Sequence, residues 1–233
     1  MPALTISLAL PLLKSWNKRN FVFLFMLTSL FLCNASLYIW QDRTALYVAI
    51  IIIITMISLV GGRIIPAFTV GALRRKGLER HIKDQPRMDI AALISLAVLA
   101  VLIIILGVAH VVTGLAAFVS AMIHAGRMRV YHTRDVWDDP LLWSLHVGYA
   151  WLVFGLVLLG LSTFDVVPLS PALHALTAGA IGTMTLSMMC RVALGHTGRE
   201  LIAGKLTFAA FLLIQGAALV RVAGPVLLPV LYT

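Results

Sequence analysis

Seven histidines, two arginines set in apolar surroundings and a group of methionines are the side chains of this sequence most able to do chemistry. Five histidines lie at or near the ends of apolar runs, with His110 and His174 toward one side and His124, His146 and His196 toward the other. His81 and His132 fall in basic polar stretches and read as solvated. Neutral imidazole is a metal ligand and an axial ligand of haem iron, so matched depths make metal or haem ligation the chemistry to test. The competing reading is an ordinary interior histidine held by a hydrogen bond. His174 and His196 are 22 residues apart, about 33 Å along an α-helix and roughly 40° apart around it. They share a face but cannot share an iron. A two-histidine site therefore needs two helices at one depth: His110 with His174 on one side, or a pair from His124, His146 and His196 on the other.

Arg63 and Arg191 both lie inside apolar runs, about five residues from a basic boundary. A charge there is costly and marks a functional candidate, such as a partner for a cofactor carboxylate. Snorkelling of the long side chain to the interface competes with that reading. Met184, Met188, Met189 and Cys190 are soft donors of the kind Cu(I) prefers, and His124, Met184 and Met188 form the candidate metal set. Core filling is the plain alternative for the methionines. Tyr149, three residues after His146, could stack beside a cofactor or simply pack. Gly61, Gly62 and Pro66 beside Arg63 predict a break in the helix, which at membrane depth must line protein or a cavity. Ala175, Gly179 and Thr183 form a stripe of small residues suited to close helix packing or to a flat macrocycle.

Lipid must be the solvent of the elements that hold these groups. Of 233 residues, 61% are hydrophobic and 12% charged, more apolar surface than a water-soluble domain can hide. The expectation is an all-α polytopic transmembrane helix bundle, a single membrane domain over 1–233. Its spans fall at about 21–40, 45–68, 90–111, 114–128, 140–163, 172–195 and 205–222. Residues 1–20 read as an interfacial lead-in, and 226–233 as the start of an eighth span cut short. With the N-terminus in the cytoplasm, fourteen lysines and arginines fall in inner segments and two, Arg43 and Arg221, in outer ones. The positive-inside rule fixes that orientation. The formal charge of +9 is thus explained by topology and lipid headgroups, with no nucleic-acid partner. Cys33 and Cys190 both lie in apolar runs and form no disulfide framework.

Three stretches together, "GGRIIPAFT" (61–69), "LLWSLHVGYAWL" (141–152) and "HALTAGAIGTMTLSMMCRVALGHTGR" (174–199), resemble the NnrS family of bacterial membrane proteins. The resemblance extends over nearly the whole chain. It implies haem b and copper as cofactors, a multi-pass protein of the bacterial inner membrane, nitric oxide as effector and a role in denitrification and protection against nitrosative stress. The matching positions are Arg63, Pro66, His146, Tyr149, His174, Met184, Arg191, His196 and Arg199. Family members are usually longer, and no "HEM" segment occurs here, so the expectation is a chain similar to the C-terminal part of the family. Whether the protein is an enzyme, a sensor or a shield stays open, as does a homo-oligomer. The alternatives are a carrier or channel for a small solute or metal, and an inactive fragment of a longer protein. The absence of buried carboxylates weakens a coupled transporter.

Overall fold

The computed structural model describes residues 6, 7, 9, 10, 14, 21–79, 81 and 84–227. Seven of its helices are long and apolar enough to cross a membrane. These are α1 (Phe21–Trp40), α2 (Thr44–Arg75), α3 (Pro86–Leu106), α4 (Val111–Met128), α5 (Pro140–Ser162), α6 (Leu169–His196) and α7 (Lys205–Leu227). Runs such as Ile50 to Ile54 are β-branched and would suit a strand in water. In lipid each backbone N–H and C=O must find its partner within the segment, and the helix wins.

Punctuation between helices follows local chemistry. Gly77 takes φ +75° after Arg74, Arg75 and Lys76, and the Leu78 N–H donates to the Leu73 carbonyl at 3.0 Å. This closes α2 with a left-handed cap. Pro86 and Pro140 start α3 and α5, where the missing N–H costs nothing. Asp139 caps α5 by accepting from the Leu141 N–H at 3.0 Å. Beside that cap, the Lys76 ammonium hydrogen-bonds Asp138 and holds its carboxyl below the usual carboxylate range.

α5 is the centre of the bundle. It buries most of its residues and packs against α2, α4, α6 and α7, whereas α1 buries only Met26 and Leu27. α2, α4 and α6 end where α3, α5 and α7 begin, and that end is called the basic face. The lead-in at 1–20 lies mostly outside the described residues, as do 228–233. α7 runs on through Gly224 and Pro225 to Leu227.

Two helices depart from expectation. α2 is unbroken across Gly61, Gly62 and Pro66. The glycines instead make room: a Cβ on Gly62 would overlap the Arg127 guanidinium, and one on Gly61 would come within 3.2 Å of Met184 Cε. α6 carries a π-helical stretch, Ala175–Gly182, between two α-helical parts. A 3.6-residue projection does not hold across it, so the shared face expected for His174 and His196 is not kept.

Candidate functional site

The largest polar network lies where α2, α3, α4 and α5 meet near the basic face. Its hub is Arg127, 3% exposed on the last turn of α4. Arg127 Nε donates to Asp89 Oδ1 at 2.7 Å and Nη2 reaches the same oxygen at 2.6 Å. Nη1 donates to the Ser58 carbonyl at 2.8 Å and to the Tyr149 hydroxyl at 3.2 Å. The fork of the guanidinium thus joins all four helices, a geometry that a lysine could not supply. Tyr149 is fully buried, and its hydroxyl also meets His124 Nδ1 at 2.8 Å. His124 Nε2 is sealed from solvent and bonds to nothing among the described residues.

His146 sits on the far side of the tyrosines Tyr149 and Tyr131, its ring edge-on to Tyr131 at 6.3 Å. Its Nε2 meets Thr69 Oγ1 at 3.0 Å and its Nδ1 meets Thr133 Oγ1 at 2.9 Å. Thr69 gives its own proton to the Ile65 carbonyl at 2.8 Å. It must therefore accept from His146 Nε2–H, which leaves Nδ1 to accept from Thr133. Both ring nitrogens are spent in tying α5 to α2 and to the loop after α4.

The other histidines stand apart. His110 caps α4, its Nδ1 accepting from the Val112 N–H at 3.2 Å on an exposed corner. His174 is half-buried on α6, close enough to Arg221 of α7 to feel its charge. His196 is exposed at the end of α6. Neither expected pair, His110 with His174 or two of His124, His146 and His196, shares a hydrogen bond or ring contact among the described residues. Among the described residues no three histidine, cysteine, aspartate or glutamate side chains gather as a metal site.

Three clefts flank this core. The largest, about 660 Å³, lies at the corner beside Gly62 and Pro66, with Arg63, His81, Asp84, Asp89 and Arg127 on its walls. The expected cavity at this corner exists, then, though no helix break makes it. A second, about 420 Å³, holds Arg75, Arg191 and His196 between α2 and α6. The third, about 340 Å³ and almost wholly apolar, is lined by Met56 of α2 and Met184, Met188 and Met189 of α6. Deeper in the bundle, the Trp151 indole donates to Gln215 at 2.7 Å and Gln215 to Thr183 at 2.9 Å.

Arg127, Asp89, Ser58, Thr69 and Gln215 were not singled out from the sequence. Arg127 reads there as one of fourteen inner loop cations, and Asp89 as an edge residue. Their 38-residue separation carries no local signal. Gly62 is the trace of the contact, because a helix interior without a Cβ marks the close approach of another group.

A family model described as NnrS protein matches the chain over residues 1–233. No curated protein and no solved structure matches it.

Proposed function

This chain belongs to the NnrS family, and we propose on that footing that it is an integral membrane protein of the bacterial nitric oxide response, protecting the cell against nitrosative stress. The observation that carries the reading is the family match along all 233 residues. The seven apolar helices agree with a multi-pass place in the inner membrane.

The two cofactors implied by the family meet different receptions. A haem ligated through His146 does not fit the described residues. His146, the histidine of the central helix, spends both ring nitrogens on Thr69 and Thr133, and His110 uses its Nδ1 as a helix cap. His124 joins the Arg127 network through Nδ1, and its Nε2 has no partner among the described residues. Copper fits by donor type, since thioethers suit Cu(I) and four methionines line one apolar cleft. Met184 and Met188 would hold the ion, with Met56 and Met189 beside them, and bound copper supplies one-electron chemistry. The chain's own part is to bury the Met184 sulfur. Met184 is 4% exposed, wedged between Gly61 and Gly148.

Two measurements test the reading. A strain lacking the gene should grow poorly under a nitric oxide donor and recover when the full chain is restored. Equal growth with and without the gene would overturn the role. For copper, Cu(I) competition against a chromogenic chelator should show binding by the purified chain and about tenfold weaker binding after Met188→Leu, the loss of one soft ligand. Unchanged affinity would remove the methionine cleft from the account.

A further inference from the structure

The cleft between α2 and α6 contains an arginine with an unused hydrogen-bond donor among the described residues. Arg191 is 6% exposed and lies about five residues, roughly 7 Å, inside the end of its helix. Its guanidinium rests 4.0 Å over the ring of Phe68, which fixes its plane. Nη1 is sealed from solvent and has no hydrogen-bond partner among the described residues. Arg75 is near enough to repel it. A Cβ on Gly71 would lie 3.9 Å from Arg75 Nη1, so that side chain folds back along α2 toward the same cleft. His196 adds a third nitrogen base at the mouth.

Among the described residues, Asp139 is the acid whose charge acts on Arg191. That carboxylate is already engaged as the cap of α5, and no ion pair joins it to Arg191 among the described residues. Both helices also end here, and their C-terminal carbonyls favour cations near them. Such an end explains one arginine at the rim. It does not explain a second guanidinium sealed away from water on the same cleft, because a buried charge without an ionic partner is strongly destabilising. The missing partner is an anion.

We propose that Arg191 and Arg75 form a clamp for a phosphate group, held in the 420 Å³ cleft at the basic face of the bundle with His196 at its entrance. Two guanidinium forks match the tetrahedral oxygens of a phosphate, in which each charge-assisted bond is stronger than a neutral one. Gly71 gives the Arg75 guanidinium room to lie along the floor, and Gly195 leaves the rim open for the group to approach the helix backbone. Phe68 and Val192 give the cleft an apolar wall suited to the start of a lipid's acyl chains. A phospholipid headgroup and a soluble phosphate ester present the same chemistry to the two arginines.

The full chain in detergent, stripped of lipid, separates these sources. Native mass spectrometry and thermal unfolding are followed while short-chain phosphatidylglycerol or inorganic phosphate is added. Saturable binding of the lipid, with Tm rising and phosphatidylcholine inert, identifies a headgroup site. Saturable binding of inorganic phosphate without lipid preference identifies a soluble ligand. In either arm Arg75→Gln and Arg191→Lys should each weaken binding about tenfold, the second by losing the fork while keeping the charge. Arg75 is exposed, so its variant keeps the fold even if the Arg191 variant does not. Equal affinity of wild type and Arg75→Gln for both probes, or saturation by neither, overturns the clamp.

Discussion

Two arginines sit at the same end of the bundle, both nearly sealed, and their surroundings could hardly differ more. Arg127 is saturated: a carboxylate, a backbone carbonyl and a phenol take up its fork, and α2 gives up a side chain at Gly62 to let it in. Arg191 has an aromatic face under it, a like charge beside it and an idle Nη1. The first arrangement is complete without any ligand and holds four helices together. The second leaves a strong donor unused at the wall of a cleft. Burial of a charge therefore carries no single meaning. What distinguishes a tie from a receptor is whether the fork is already filled.

The strongest way to break this contrast is Arg127→Met. It removes the bonds to Asp89, Ser58 and Tyr149 at once and leaves the four helices without their shared tie. The expected loss is about 3 kcal/mol in detergent or SDS unfolding. Little of it comes from the ion pair itself, because the Asp89 side chain is 45% exposed and screened by water. Arg191→Met, measured in the same way without added anion, should cost far less or stabilise the protein. Equal losses would mean that the two corners are both structural.

Gly62→Ala tests the same corner from the other side of the contact. The added methyl falls on the Arg127 guanidinium and must displace it or spread α2 from α4. Overpacking of this kind costs about 2 kcal/mol. The double variant Gly62→Ala with Arg127→Met should lose less than the sum, because the methyl then has a flexible neighbour. Additive losses would show that Gly62 serves some other purpose.

How much of this was readable beforehand follows the range of each signal. The seven helices were legible because hydropathy is local and lipid enforces helices wherever an apolar run is long enough. Arg191 and the corner at Gly62 and Pro66 were legible too, as a charge and helix breakers inside such runs. The ligation of His146 was not. It depends on Thr69 and Thr133, hydroxyls on two other segments that resemble any other threonines in sequence. The π-helical turn after His174 was equally hidden, and it defeats any face computed at 3.6 residues per turn. Depth along a helix survives the step from sequence to structure better than azimuth does.

The smallest expected effect sharpens the comparison most. Gly195 lines the Arg191 cleft in the last turn of α6, and a Cβ there would meet nothing within 4 Å. Gly195→Ala should therefore stabilise the chain by roughly 0.5 kcal/mol, through the lower backbone entropy of alanine in the unfolded state. Gly62→Ala, the same chemical change in the other corner, should do the opposite. If the cleft receives a phosphate group, the methyl at residue 195 also narrows its rim, so stability rises while anion binding weakens. A glycine kept for packing would show stability falling. One kept for neither packing nor binding would show stability rising with affinity unchanged, and the clamp would then have no use for the open rim.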